Sequence, residues 1–414
     1  MLHKYHLFER FRLEIELMIV DRETYEPLPV AHNLLTSSEG EVLTDLHLSD
    51  VAFSNEMIEH HIEIRTGDAV ESFADLHKRL HRGLQRFNDL LSGLHAALLP
   101  GAMHPFLDPA DKTQLWQEKD VEVYEKYDEL FNVHRHGAGN IQSCRLLVPY
   151  YDDREFAIAH NLGRMILPLI PALAAGSPVY DGQVHECADC RLHFYNTFHE
   201  NYPEIAGGVI PEVTQSTEEY RQKVLEPIRQ ALGQADPQGI MPAEWLNARG
   251  IVPRFERQFL EIRLIDTQES IFSCCAVSLL IFESLRYLAN CRQDIYQQIL
   301  QFPTDQLRQL YEDAVIRGEN CEIKNSEYLH IFNIHAASLT GKEFWLALLE
   351  RTRLAQQFAE YAPFYELYSQ EGSFASRLLK HFDLVRGEKI QPGKLKKICR
   401  ELMRCLQQNE PLIP

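Results

Sequence analysis

Glu14 and Glu16 stand two residues apart in "FRLEIELMIV" (11–20), interleaved with Phe11, Leu13, Ile15, Leu17 and Ile19. Side chains alternate along a strand, so the two carboxylates share one face and the apolar residues the other. The same arithmetic in "MIEHHIEIRT" (57–66) sets Glu59, His61, Glu63 and Arg65 opposite Ile58, Ile62 and Ile64. In "FLEIRLID" (259–266), Glu261 and Arg263 share a face opposite Leu260, Ile262 and Leu264. A hairpin turning at Arg257-Gln258 places Arg254 directly across from Glu261. One strand with a charged face is ordinary, because antiparallel sheets often bury one face and solvate the other. Three strands that each gather acids, two of them with arginine, point to a site. Clustered carboxylates repel one another unless cations sit among them, and their hard oxygens suit Mg²⁺. Arginines on the same surface suit phosphate oxygens.

The elements that would carry these residues alternate between strand and helix. "NIQSCRLLVPY" (140–150) reads as a further strand, and "SFADLHKRLHRGLQRFNDLLSGLHAALL" (72–99) has the three-and-four spacing of an amphipathic helix. "REFAIAHNLGRMILPLIPALAAG" (154–176) reads as a buried helix interrupted by prolines, and "STEEYRQKVLEPIRQALG" (216–233) as a helix capped by Ser/Thr and ended by Gly. From about residue 270 nearly everything is helical, and no internal repeat or low-complexity linker appears. The fold class is α+β, with a mainly antiparallel sheet, packed helices and a helical C-terminal portion. We expect a catalytic domain over 1–300 and a helical portion over 301–414 packed on the same domain.

Composition narrows the function. The chain has 414 residues, 45% hydrophobic and 24% charged, with a formal net charge of −19. Such a balance opposes a nucleic-acid or anionic-membrane surface while leaving room for a basic pocket that takes a small anion. The opening residues lack the apolar run of a signal peptide, and the longest apolar runs are short for a bilayer. Nine cysteines, mostly isolated in apolar segments, fit reduced thiols in a cytoplasm. A homo-oligomer is left open.

The segments "LEIELMIVD", "IEHHIEIRT", "GAMHPF", "NIQSCRLLVPY", "ILPLIPALAAGSP" and "EWLNARGIVPRFERQFLEIRLIDTQE" together resemble the glutamate–cysteine ligase-like carboxylate–amine ligase family. The resemblance runs from about residue 8 to residue 290 and implies a sheet like that of glutamine synthetase. It implies ATP with Mg²⁺, or Mn²⁺ in its place, and small amino-acid-like substrates. The implied reaction phosphorylates a carboxylate, typically the γ-carboxylate of glutamate, and gives the acyl phosphate to an amine. On this resemblance Glu14, Glu16, Glu63 and Glu261 are metal ligands, and Arg263 stabilises the transferring group. Arg164 and Arg191 fall at basic positions matched to substrate binding, and Arg254 joins them from the hairpin.

The chain departs from the family at two places. Arg12 stands where the family has Gly, on the face of Glu14 and Glu16, within reach of an acid. Arg145 and Leu147 stand where the family's third strand has His and Asn. Arginine cannot ligate a metal, so either one metal position is lost or Arg145 takes over its charge-neutralising role, with His61 a substitute ligand. The competing function is a catalytically altered relative that binds nucleotide or metabolite and acts with a partner protein. "HECADCRLH" (185–193) has zinc-type residues, Cys187, Cys190, His185 and His193, but no second distant knuckle. "FNVHRHGAGN" (131–140) reads as a loop bordering the site, and "YAPFYELY" (361–368) as helix packing.

Overall fold

The computed structural model describes residues 4–37, 39–48 and 50–414. Its centre is an eight-stranded sheet made of β1 (Arg12–Asp21), β2 (Asp45–Leu48), β3 (Val51–Asn55), β4 (His61–Thr66), β5 (Ala96–Leu99), β6 (Ser143–Pro149), β7 (Ile251–Arg254) and β8 (Phe259–Asp266). The order is β2–β3–β4–β1–β6–β8–β7, with β5 paired to β1, and all the pairings are antiparallel. β1 lies at the centre, bonded to β4 along Glu14–Met18 and to β6 along Arg12–Ile15.

The alternation in β1 explains both faces of this sheet. Leu13, Ile15, Leu17 and Ile19 are fully buried in the main core. Helices cover that side. Leu76–Ser92 contributes Leu76, Leu80, Leu84, Phe87 and Leu91, spaced so that one stripe faces inward. Asp153–Ile166 starts where the Asp152 side chain accepts from the Glu155 amide, and Ile271–Ala289 where Ser270 accepts from the Ser273 amide. Two helical stretches, Asp153–Ala174 and Ile271–Ala289, are long and apolar enough to cross a membrane, but 94% and 89% of their apolar windows are buried inside the fold.

On the other face the even positions of β1 change from Glu14 and Glu16 to Met18 and Val20. Met18 and Val20 join a second core with Phe374–His381 and Pro392–Gln408, through Leu378, Ile398 and Leu402. The C-terminal helices therefore close one end of this face, and the charged end borders a cavity. Other helices of the C-terminal portion are pinned to the core by polar tips. Trp345 donates to the Leu169 carbonyl, and Tyr361, Tyr365 and Tyr368 donate to those of Phe73, Ala276 and Ala172. The aromatic run at 361–368 is packing, as its sequence predicts.

Local structure differs from the sequence reading at several points. Ala96–Leu99 is strand β5, not the end of the preceding helix, which stops at Ser92. Strands β2 and β3 escape the sequence reading, because "DLHL" alternates over only four residues and "VAFSN" shows no polar–apolar period. The hairpin between β7 and β8 pairs Arg254 with Phe259, so Phe255–Gln258 form a four-residue tip and Arg254 lies diagonal to Glu261. The second carboxylate strand begins only at His61. Residues 57–60 form a turn held by the Glu59 amide on the Gln114 carbonyl, and the Glu59 carboxylate bonds the His32 ring at 3.2 Å. Glu59 is thereby removed from the face of Glu63.

Candidate active site

Glu14, Glu16, Glu63, Arg65, Arg145, Arg254, Glu261 and Arg263 all line a single cavity of about 1060 Å³. Strand register brings them there. Glu14 pairs with Arg65 on one side and Arg145 on the other, and Glu16 pairs with Glu63. Between β8 and β6 the register shifts at Ile262/Ile265, so Arg263 and Leu264 together oppose Arg145. This bulge sets two arginines beside each other at the cavity floor. The Arg263 amide bonds the Gly250 carbonyl and its guanidinium the Asn247 carbonyl, fixing the side chain's base.

The ion pairs are dense. Arg145 reaches out from β6 to contact Glu16, and its other terminal nitrogen lies 3.1 Å from Glu63 and 3.3 Å from Glu56. Glu16 also accepts from the Ser143 amide at 2.6 Å and hydroxyl at 3.0 Å. Glu261 is gripped by Arg254, through bonds of 2.5 and 3.0 Å, and by Arg263 at 3.0 Å. Arg65 pairs with Asp45 and stands 3.8 Å from Glu63. Glu14 is buried, and among the described residues its carboxylate makes no hydrogen bond or ion pair, with Arg145, Arg254 and Arg65 acting on it only at longer range.

Burial and mutual repulsion separate these acids electrostatically. Burial raises Glu14, with Glu261 adding to it, and raises Glu63 well above the usual carboxylate range, with Glu14 and Glu56 adding to it. Glu56 is pushed up to about 7, by burial and then by Glu14. Burial would raise Glu261 too, but Arg254, Arg263 and Arg145 hold it well below the ordinary value. Glu56 is the acid that strand periodicity could not find, since it sits in the turn after β3. Its only sequence signal is its place between two strands that carry site residues.

Other expected residues lie elsewhere. Arg164 is fully buried in its helix, bonded to the Pro211 carbonyl and the Thr304 hydroxyl, and does not line the cavity. Arg191 is buried against Asp266 at 2.5 Å and donates to the Arg263 carbonyl, so it supports the bulge without lining the cavity. Arg12 pairs with no acid of the cluster, and its guanidinium lies over the Phe259 ring at 5.5 Å. His61 lines the cavity and is kept neutral by burial. Leu147 packs with Ala69 and Phe259. Gly137 and Ala138 bring the 131–140 loop to the cavity edge. Gly137 has φ +100°, and a Cβ there would stand 2.5 Å from the Phe198 ring. Tyr127, Tyr195 and His199 line the cavity as well, and Tyr127 bonds His199 at 3.0 Å.

Whether this donor set suits a metal held by protein alone can be tested on its geometry. Among the described residues, no three His, Cys, Asp or Glu side chains come together to hold an ion. Arg145 fills the space between Glu16, Glu56 and Glu63, and arginines engage both sides of Glu261. The arrangement does not fit such an ion. The same holds for Cys187, Cys190, His185 and His193, where the Cys190 thiol bonds the Cys187 carbonyl and His185 stacks on Tyr180.

Two solved structures share the fold. A glutamate–cysteine ligase from Francisella tularensis in complex with AMP matches with a TM-score of 0.62 at 11% identity, covering 98% of this chain and 90% of the other. A bifunctional glutathione synthetase from Pasteurella multocida matches with a TM-score of 0.62 at 15% identity, covering 96% of this chain. This chain spans about half the length of that synthetase, 53%. Fold and family define a protein of the ATP-dependent carboxylate–amine ligase kind. The chain belongs to glutamate–cysteine ligase family 2, whose family model matches residues 10–401. An uncharacterized protein of Archaeoglobus fulgidus is 30% identical over 392 residues, covering 94% of this chain and 97% of that one. A Cupriavidus metallidurans protein, provisionally named glutamate–cysteine ligase 2, is 27% identical over 192 residues, 45% of this chain and 47% of its own. The family implies ATP and a divalent metal in general terms.

Proposed function

We propose that this protein is a ligase that phosphorylates the γ-carboxylate of glutamate, or of a glutamate-like acid, and transfers the acyl group to an amine. The observation that carries this reading is the convergence of Arg65, Arg145, Arg254 and Arg263 with four glutamates on one face of the sheet and with Glu56 in the adjoining turn. Arg254 and Arg263 share the single carboxylate of Glu261, which leaves guanidinium charge and donors for an anion. A triphosphate and a carboxylate are such anions.

In the first step a substrate carboxylate oxygen attacks the γ-phosphorus, the bond to the β–γ bridging oxygen breaks, and ADP leaves. In the second the amine nitrogen attacks the acyl carbon, the acyl carbon–oxygen bond breaks, and phosphate leaves with the electron pair. Arg263 and Arg145 place fixed positive charge beside the reacting oxygens, where charge builds in both transition states. The attacking amine must shed a proton. Glu56, which titrates near neutrality, is the acid suited to accept it. Arg254 orients Glu261 and offers its remaining hydrogen-bonding capacity to phosphate. We place the protein in the cytoplasm, in keeping with nine free thiols.

The test is incubation with ATP, Mg²⁺ and pooled amino acids and amines, following ADP and new amide masses. ADP release that requires both an acid and an amine supports the reading. A second reading, a relative that binds nucleotide without catalysis, is favoured by Arg145 occupying the acid cluster. Tight nucleotide binding without ADP release under any acid–amine pair selects it.

A further inference from the structure

The cavity brings nearly as many bases as acids. Its wall carries nine acidic and eight cationic side chains. A wall of carboxylates alone would need several divalent ions to be stable when buried, whereas this one brings its own counter-charge. Arg145 shows how. It extends from β6 and meets Glu16 of β1, Glu63 of β4 and Glu56 of the intervening turn, so one guanidinium ties together three acids from separate parts of the chain. A guanidinium stays charged at any working pH and has no lone pair to give a metal. A magnesium ion needs near-octahedral oxygen ligands at about 2.0–2.1 Å. Those oxygens already face nitrogen here, and a second cation cannot share the position without expelling the first.

We propose that Arg145 is the resident cation of this site, a fixed substitute for a protein-held metal. This deepens the ligase reading and rests on it for the identity of the site, while its observations concern the protein alone.

The experiment is Mn²⁺ titration followed by electron paramagnetic resonance, on wild type, Arg145→Ala and Glu16→Gln, without nucleotide. We expect no saturable Mn²⁺ binding in wild type or Glu16→Gln, and a new saturable site in Arg145→Ala, where Glu16, Glu56 and Glu63 lose their guanidinium. Saturable binding to nucleotide-free wild type that Glu16→Gln abolishes would overturn the proposal. So would a folded Arg145→Ala, checked by circular dichroism, that gains no site. If Arg145→Ala does not fold, the wild-type and Glu16→Gln titrations still decide. Amide formation is assayed separately. Nucleotide-free Mn²⁺ binding with amide synthesis sinks this inference and leaves the ligase reading, whereas no Mn²⁺ site and no amide does the reverse.

Discussion

Arg145 and Glu56 are neighbours with opposite tasks in this account, one supplying fixed charge and the other a movable proton. Arg145→Ala should lower turnover by roughly a hundredfold, the scale for losing a preorganised charge-stabilising group. Arg145→Lys should recover only part of it, since an ammonium keeps the charge and loses the fork. Unchanged turnover of ADP release in both variants would remove Arg145 from the mechanism. Glu56 predicts a pH signature. Its carboxyl ionises near 4.5 ordinarily and only near about 7 in the fold. Between those values the unfolded chain holds fewer protons than the folded one, so raising pH through this window lowers stability. Glu56→Gln removes that loss. Urea denaturation should show wild type losing on the order of 3 kcal/mol more than the variant between pH 4.5 and 7. In activity, kcat/KM of wild type should fall as pH drops below about 7, where Glu56 is protonated and cannot accept the amine's proton.

At the scale of elements, the helix Leu76–Ser92 sets the height of β3 above the core. A Cβ on Gly83 would lie 2.2 Å from a Val51 methyl, whereas one on Gly93 would meet only a carbonyl oxygen at 3.6 Å. Gly83→Ala should therefore cost about 1–3 kcal/mol by overpacking, with Gly93→Ala close to neutral. Thermal denaturation of the pair checks this, and equal melting temperatures would contradict the packing described. Which elements are legible in the sequence follows from the same physics. β1, β4, β6 and β8 cross the middle of the sheet, and alternation alone assigns Glu14 and Glu16, Glu63, and Glu261 and Arg263 to the polar faces of their strands. β2 and β3 lie at the edge, too short to show a period. β5 is hidden because the leucine spacing of the preceding helix runs on past Gly93. Strand parity misplaces Glu59 when it is extended into a turn, and it cannot find Glu56 because it says nothing about turns. Arg164 and Arg191 match the family by position, yet their helices point them into the core, where Arg191 meets Asp266 and the Arg263 carbonyl, and Arg164 meets the Pro211 carbonyl and the Thr304 hydroxyl with one terminal nitrogen left unpartnered among the described residues.

Across the whole molecule, the C-terminal helices hold the site face in place from outside the sheet. Arg377 of the helix Phe374–His381 bonds Glu269 at 2.7 Å and the Leu412 carbonyl at 2.8 Å, with both charged side chains buried. Arg377→Ala would strand a buried carboxylate, and an expected loss of about 3–5 kcal/mol should appear in equilibrium denaturation. Nucleotide affinity at low temperature should survive, because Arg377 does not line the cavity. The central claim is that the cavity activates a carboxylate by phosphorylating it, and isotope transfer tests that bond by bond. Glutamate, or whichever acid supports ADP release, is supplied with oxygen-18 in the reacting carboxylate, and the inorganic phosphate is read by mass spectrometry. One oxygen-18 atom should appear in each phosphate released, because the acyl carbon–oxygen bond breaks when the amine attacks. Unlabelled phosphate accompanying amide formation, or phosphate released without any need for the acid, would contradict it.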